Sequence, residues 1–511
     1  MSNTRRRFLA DVGRGMLVAS VGSALATDLG FSQAWGDDSA PRLKFGKLEP
    51  LVTLMQESTA EQMLPRIVNM LKTGVDLKEV VSAAALANVR TFGGEDYVGF
   101  HTMMALYPAY QMARELPTER QALPVLKVLY RNCQRMQERG VNPEVLHEVP
   151  ATTGTSTSQA LRDACHKKDV KQAEIIFKQL ATSPEDALNA LLPEVHESTE
   201  VHRIVMVSRS WDMLELVGRE HAHTLLRQSV HYCIKSENDN QKSYFAEVRA
   251  LLPKLMEKYQ FDHKSLGKKP ADDAWVDHLA KTIFSANASQ AAEAAAMALS
   301  EGYLPDAVGE AITLAANQLV LRDKGRYGGM VQPNKPQGSV HGDSIGVHAS
   351  DSANAWRNLA RHSKHTAACL ILGAYQVALD RTNRGGDFLK WEPYPHSEHS
   401  NSISKVTPEN LNKELEDAIR AKEQARACAL VNRIHELKQD ASPVFATLLK
   451  YAISEDGALH AEKYYRTVVE EFNSTREAYR WRQLLALARV TASECGHPAP
   501  GYEQACKLLK V

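Results

Sequence analysis

Apolar residues spaced three and four positions apart recur along most of this 511-residue chain. In the segment 161–182, for example, Leu161 and Cys165 would lie on one stripe of a helix. Residues 60–320 and 405–511 are rich in Ala, Leu, Glu, Lys and Arg, and few runs alternate apolar and polar residues with period two. The pattern therefore predicts an all-α fold.

Two breaks interrupt this helical pattern. Residues 322–347 and 380–405 are rich in Gly, Pro, Ser and Asn. Loops of this length inside a compact protein are usually functional or disordered insertions. We therefore expect two long loops between helices.

The chain repeats the order of four short segments, which indicates an internal duplication. The segments LKTGVDLKEVVSAAALA (71–87), GFH (99–101), LRDACHKKDVKQA (161–173) and SPEDALNALLPEVHESTEVH (183–202) correspond in order to LSEGYLPDAVGEAITLA (299–315), GVH (346–348), LEDAIRAKEQARA (415–427) and SPVFATLLKYAISEDGALH (442–460). The third pair is the clearest, since both copies read L-x-D-A-x-x-x-K-acid-x-x-x-A. We expect two helical halves, 37–260 and 261–511, that form one compact unit about a pseudo-twofold axis.

Four of the 19 histidines occupy matched places in these halves. His101 pairs with His348, and His202 pairs with His460. Imidazole is a good ligand for Fe, Zn, Cu and Ni, so histidines from four helices would hold a transition metal inside a helical bundle. The alternative is that they are ancestral core histidines retained for helix packing.

Lys463 follows His460 by three residues and would share its helix face. An ammonium group beside a metal-binding histidine is unfavourable, because two cations would be buried together. The position suits a neutral amine, or a lysine carbamate formed with carbon dioxide, which is an anionic oxygen ligand. The alternative is an exposed lysine in a charged helix. Asp351 and Asn354 are candidates to orient the ring of His348 through hydrogen bonds, or to cap the following helix.

Four motifs carry a resemblance to a known family. They are GFHTMMALYPAY (99–110), EVHRIVMVSRSWDM (200–213), IGVHASDSANAW (345–356) and DGALHAEK (456–463). With these motifs in this order, residues 60–490 resemble the questin oxidase-like family. The resemblance implies an all-helical fold and oxidation of polycyclic aromatic polyketides, by Baeyer–Villiger-type insertion or ring-opening dioxygenation. From some members it also implies a non-haem iron held by four histidines and a carboxylated lysine, here His101, His202, His348, His460 and Lys463.

The chain departs from that family in its two long loops and in its N-terminal segment, so its compartment and substrate are expected to differ. The segment TRRRFLA (4–10) precedes the weakly apolar GMLVASVGSALA (15–26) and the small-residue cleavage sites A-L-A and S-Q-A. Paired arginines before such a segment indicate a twin-arginine signal peptide over residues 1–36. We expect export by the Tat translocase to the periplasm or the extracellular space.

Composition excludes several other classes of protein. Lys and Arg together number 61, as do Asp and Glu, so no basic excess favours a nucleic-acid partner. No stretch reaches the roughly 18 apolar residues of a spanning helix. The seven cysteines form no C-x-x-C motif, which argues against thiolate zinc clusters and attached haem, and a Cys495–Cys506 bridge is left open. Glu144 and His147 match half of a di-iron signature that has no second copy.

The sequence thus predicts an exported oxidoreductase that uses non-haem iron, or another divalent transition metal, on an aromatic small molecule. No catalytic residue is assigned beyond the metal site, and Tyr97 and Trp356 are candidates to wall an aromatic pocket. The alternative is a non-catalytic helical-repeat interaction protein of the periplasm or cell envelope. A separation of His101 and His460 beyond about 10 Å would exclude a shared metal, because metal–nitrogen bonds are about 2 Å long.

Overall fold

The computed structural model describes residues 41–139, 144–150, 153–382 and 387–511. Across these residues the fold is all-α, with 24 α-helices and no β-strand. The helices are α1 Glu49–Glu57, α2 Ala60–Lys72, α3 Leu77–Phe92, α4 Tyr97–Ala113, α5 Ala122–Glu138, α6 Ser158–His166, α7 Val170–Leu180, α8 Pro184–Val195, α9 Val201–Val217, α10 Ala222–Ser236, α11 Asp239–Tyr244, α12 Ala246–Tyr259, α13 Asp273–Ser285, α14 Ala288–Ser300, α15 Pro305–Arg322, α16 Ile345–His362, α17 Thr366–Thr382, α18 Ser397–Ser402, α19 Leu411–Arg420, α20 Gln424–Glu436, α21 Ser442–Ser454, α22 His460–Ser474, α23 Glu477–Glu494 and α24 Tyr502–Leu509.

The amphipathic pattern of the sequence becomes the buried face of the outer helices. In α19, Leu411, Leu415, Ala418 and Ile419 are buried, and their spacing of four, three and one places them on one side of the helix. The inner helices α4, α9, α15 and α16 are buried on nearly all sides instead. These four therefore belong to the interior of the bundle, as do α3 and α17.

The hairpins formed by α6–α7 and by α19–α20 close in the same way. Each turn contains a lysine in the left-handed conformation, Lys168 with φ 57° and Lys422 with φ 60°. In the first hairpin the N–H of Asp169 donates to the carbonyl of Ala164. The corresponding bond in the second hairpin also joins an N–H to the carbonyl five residues earlier. The internal duplication remains a prediction. If it is correct, equivalent hairpins should close in the same way, as these two do.

Two hydrophobic cores hold the bundle together, and each draws residues from both sides of position 260. The first joins Leu86 with Leu430, and the second joins Leu191 with Trp356. Helix α4 lies between them, since Met103 belongs to the first core and Met104 to the second. The two predicted halves are therefore packed into each other.

The two sequence breaks have different structures. Residues 323–344 link α15 to α16 and contain only one short 3₁₀ turn. Within this linker, Arg326 and Lys335 both form ion pairs with the carboxylate of Asp343. The described part of the second break is more ordered than a long loop, because α17 continues to Thr382 and α18 lies inside the break.

Other expectations meet the structure as follows. All seven cysteines are free, so the Cys495–Cys506 bridge is not formed. Within the described residues no helix has both the length and the apolar character needed to cross a membrane. The signal peptide expected over residues 1–36 lies outside the described residues.

Gly346 allows α16 to approach α15 closely. A Cβ at this position would lie 2.6 Å from the backbone nitrogen of Val320 and 2.7 Å from the carbonyl carbon of Leu319. Backbone atoms cannot move aside as a flexible side chain can, so Gly346→Ala should lower the free energy of unfolding by about 1–3 kcal/mol. Chemical denaturation measures this loss.

Gly329→Ala is the matched control, because no atom lies within 4 Å of its added Cβ. We expect a change within about 0.5 kcal/mol for this surface substitution. Equal stability of the two variants would contradict the close helix contact.

Candidate metal centre

The four matched histidines meet in the interior of the bundle. Their ring centroids are 4.8 Å apart for His101 and His202, and 5.7 Å apart for His202 and His348. His348 and His460 are 5.2 Å apart, and so are His460 and His101. The imidazoles therefore form a closed ring (the histidine ring) in the order 101, 202, 348, 460. In this order the matched partners stand opposite each other, as a pseudo-twofold axis through the ring would place them.

The packing of the helices follows the same order. Helix α4 packs against α9, α9 against α16, α16 against α22, and α22 against α4. Each histidine lies near the start of its helix, at the fifth, second, fourth and first residue of α4, α9, α16 and α22 respectively. The N-terminal ends of four helices consequently converge on the histidine ring.

The size of the ring is close to that of a metal centre. A square with sides near 5.2 Å has its centre about 3.7 Å from each centroid. A metal–nitrogen bond of about 2.0–2.1 Å places an imidazole centroid about 3.2 Å from the metal. If every Nε2 points to the centre of this square, the rings stand about 0.5 Å outside bound geometry, so a metal ion would have to draw the imidazoles inward.

Hydrogen bonds leave the Nε2 atoms of three rings available. Nδ1 of His101 donates to the carbonyl of Tyr97 over 2.7 Å, and Nδ1 of His460 donates to the carbonyl of Ala458 over 3.1 Å. Nδ1 of His202 donates to a carboxylate oxygen of Glu200 over 2.6 Å. These bonds fix the tautomer in which Nε2 carries a lone pair, as in metal-binding histidines.

Nε2 is buried and unpartnered in two members of the ring, His101 and His202. Nε2 of His348 and Nε2 of His460 face each other at 3.2 Å. Because Nε2 of His460 carries a lone pair, Nε2 of His348 donates its proton to it, and a bound cation would take the place of that proton. An unpartnered buried polar atom is costly, so the arrangement is one that a bound cation would satisfy.

Two glycines explain how the helices bring these rings together. Gly99 and Gly346 each precede a ring histidine by two residues. A Cβ on Gly99 would lie 2.5 Å from the ring of Phe92, and one on Gly346 would strike the backbone of α15. The shared G-x-H pattern therefore reflects close packing of α4 and α16 against their preceding helices.

The environment of the ring opposes positive charge. Burial lowers the pKa of His101, His348 and His460, and the positive charge of Lys463 lowers it further. For His348 the pKa falls to about 3. These imidazoles are therefore neutral at physiological pH, the state that a metal ligand requires.

Lys463 is buried beside the ring on α22, with 3% of its surface exposed. Burial lowers its pKa to about 8, against the opposing charges of Asp351 and Glu462. The expectation of an exposed lysine does not hold. A substantial fraction of the side chain is a neutral amine near pH 8, and only a neutral amine reacts with carbon dioxide.

Asp351 and Asn354 bond to α22 and not to the ring of His348. The carboxylate of Asp351 accepts a hydrogen bond from Thr467 over 2.7 Å, and its charge acts on Lys463. The amide of Asn354 donates to Glu471 over 2.9 Å. Both residues follow the first turn of α16, so the helix is capped by Ser344 and not by them.

Glu200 is a functional candidate that the sequence reasoning missed. One carboxylate oxygen accepts from His202, and the other accepts from the hydroxyl of Tyr232 over 2.7 Å. Burial raises the pKa of Glu200, but the contacts of His202 and Tyr232 outweigh it and hold the pKa at about 2. The carboxylate is thus ionised and fixes the orientation of the His202 ring.

We expect Glu200→Gln to weaken metal binding about 10- to 100-fold, because the amide keeps the shape but loses the charge that supports His202. Glu174→Gln is the matched control, since Glu174 accepts from His231 over 2.8 Å outside the ring. Metal dissociation constants from competition with a chromophoric chelator measure both. Similar affinities for the two variants would contradict a supporting role for Glu200.

Aromatic side chains flank one edge of the histidine ring. Tyr97 contacts His101 at 4.4 Å and His202 at 5.7 Å, and it is 41% exposed. Phe100 contacts the same two imidazoles at 5.0 and 5.3 Å. Trp356 is fully buried and donates to Gln376, so it belongs to the core and not to this wall.

Two other groups of the described residues, unlike the histidine ring, place three potential ligand atoms within 4.8 Å of one another, His166–Glu194–Glu237 and His396–Glu398–His399. In the first, Glu194 pairs with Arg203, and Glu237 pairs with Arg249. Arginine side chains therefore already balance the negative charge of both carboxylates in this group. Glu144, of the half di-iron motif, similarly pairs with Arg42 over 2.7 Å.

Comparison of the chain with protein-family models, with curated protein sequences and with solved structures finds no match.

Proposed function

We propose that the protein is a metal-dependent oxidoreductase of the oxygenase type that acts on an aromatic small molecule. His101, His202, His348 and His460 would hold non-haem iron or another divalent transition metal, and Lys463 would add a carbamate oxygen. The observation that carries the proposal is the closed ring of four imidazoles, three of them buried and one (His202) nearly so, two of which have unpartnered Nε2 atoms. The resemblance to questin oxidase-like proteins is part of the same proposal.

Each part of the site has a role in this proposal. When bound, the metal would supply electrons to dioxygen and coordinate an ionised oxygen of the substrate. Glu200, together with the carbonyls of Tyr97 and Ala458, orients three imidazoles through their Nδ1 protons. Burial of His101, His348 and His460 limits water at the centre, and the tautomers of His101, His202 and His460 are fixed before any ligand binds.

The preference for an aromatic substrate rests on the edge formed by Tyr97 and Phe100. Both rings contact His101 and His202, and the ring of Tyr232 meets Phe100 edge to face at 5.3 Å. Aromatic rings prefer stacked or edge-to-face partners, each worth about 0.5–1.5 kcal/mol beyond burial. The partial exposure of Tyr97 makes this edge the approach from solvent.

The geometry favours this proposal over a helical-repeat scaffold. A scaffold has no reason to bring four histidines from distant parts of the chain into one buried ring. The ring centroids of His101 and His460 are 5.2 Å apart. This is well below the separation of about 10 Å that would exclude a common metal. Export by the twin-arginine route fits an enzyme that takes up its metal before translocation, and it remains part of the proposal.

Metal analysis of untagged protein purified from the cytoplasm tests the proposed function. We expect about one transition-metal ion per chain at the ring. Oxygen uptake with polyhydroxylated aromatic compounds should depend on that ion. Protein that neither contains nor takes up a transition metal at the ring would refute the proposal.

A further inference from the structure

A second group of metal-binding side chains lies away from the histidine ring, inside the second sequence break. His396, Glu398 and His399 (the 396–399 triad) place three ligand atoms within 4.8 Å of one another. The two imidazole centroids are 5.5 Å apart. Two imidazoles and one carboxylate form a donor set that suits Zn²⁺ and similar divalent ions.

The triad rests on a rigid support. The ring of His396 stacks on Tyr394 at 4.2 Å, with 17° between the planes. The guanidinium of Arg489 lies 4.1 Å from the centre of the Tyr394 ring, and Arg489 is itself buried and bonded to the carbonyls of Val320 and Asp323. The imidazole of His396 is therefore held in place before any ion binds, which lowers the entropic cost of binding.

Nε2 of His396 donates to the carbonyl of Glu392 over 3.3 Å, so Nδ1 is the nitrogen of this ring that could bind a cation. Nδ1 of His399 is buried without a hydrogen-bond partner. The side chain of Glu398 is 76% exposed, and the ion pair of its carboxylate in the described chain is a 3.6 Å contact with His399. In the His166–Glu194–Glu237 group, by contrast, arginines neutralise both carboxylates. The carboxylate of the 396–399 triad has no such arginine partner among the described residues, so a cation would not have to displace one.

The triad also borders a cavity of about 480 Å³. His399 lines it together with Tyr394, Ser402, Gln424 and Arg426. Three protein ligands leave one position of a tetrahedral ion open, and this is the arrangement of metal sites that bind a further ligand. The volume lies within the range of small-molecule pockets.

We propose that His396, Glu398 and His399 form a second divalent-metal site, of the Zn²⁺ type, with an open coordination position toward this cavity. The site is independent of the histidine ring and of the function proposed for it. It is exposed, so its ion exchanges with chelators faster than an ion inside the bundle.

Equilibrium dialysis of the untagged full-length protein against Zn²⁺ tests the second site. We expect two ions per chain in the wild type and one in His399→Ala. His348→Ala should keep the ion at the triad, so failure of the ring does not affect this test. Because the triad lies at the surface, His399→Ala should fold, which circular dichroism verifies.

His435→Ala is the matched control. His435 also stacks on an aromatic ring, Trp481 at 5.0 Å, but it belongs to neither group of potential ligands. It should bind as many Zn²⁺ ions as the wild type. Co²⁺ in place of Zn²⁺ should give a visible absorption that His399→Ala loses and His435→Ala keeps. Equal Zn²⁺ content in the wild type and His399→Ala, or an equal loss in His435→Ala, would overturn the proposal.

Discussion

Replacing His348 by alanine should leave a folded protein that contains less than about a tenth of the wild-type metal at the ring. The loss follows because one of four ligands is removed and because Nε2 of His460, which faces His348 at 3.2 Å, loses its partner in coordination. Elemental analysis by mass spectrometry, with metal at the 396–399 triad removed by brief chelation, measures the content. This is the largest effect on metal binding that we expect from one substitution.

His223→Ala provides the control for that experiment. His223 is also partly buried and stacks on Phe177 at 5.5 Å, but it lies outside the ring. Its removal should leave the metal content unchanged. Equal metal in His348→Ala and His223→Ala would show that the ring does not hold the ion.

Lys463→Met separates two states of this lysine by the sign of its effect. If Lys463 is a carbamate, the variant loses an anionic ligand and should bind metal at least about 10- to 100-fold more weakly. If Lys463 is an ammonium, the variant loses a buried positive charge, and binding should become tighter. We expect the weaker binding, measured as a dissociation constant in bicarbonate buffer.

The pH dependence gives a second readout for Lys463. Its pKa is about 8, so the amine is protonated below that pH and neutral above it. Carbamate formation, and with it metal affinity, should therefore rise as the pH passes upward through 8 and as bicarbonate is added. Lys463→Met should show no bicarbonate response, and a bicarbonate effect of equal size in the variant would contradict the carbamate.

The all-α fold could be predicted from sequence because helical periodicity is local. The grouping of His101 with His348, and of His202 with His460, came from the order of repeated segments and needed no knowledge of packing. Their assignment as ligands remains a prediction, although the structure places the four rings side by side. The order around the ring could not be predicted, because it depends on which helices pack together.

Contacts between side chains on different helices could not be predicted from the sequence for the same reason. Glu200 precedes His202 by two residues, a spacing that signals nothing in a helix, and it reaches the imidazole only because α9 begins between them. Proximity in sequence made Asp351 a candidate to orient His348 or to cap the helix, whereas its partner Thr467 lies on another helix. The short helix α18 was hidden in a segment whose composition is typical of loops.

The convergence of four helix starts has a consequence for the charge that this centre can hold. Each helix N-terminus carries the equivalent of about half a positive charge, so four of them together act like roughly two. This field adds to burial in opposing protons on the imidazoles and an ammonium at Lys463. If the ring holds iron as proposed, the same field would favour the ferrous over the ferric form and so would raise the reduction potential. The negative charges of Glu200, Asp351 and a carbamate on Lys463 would oppose this positive field, and the balance between them would set the reduction potential.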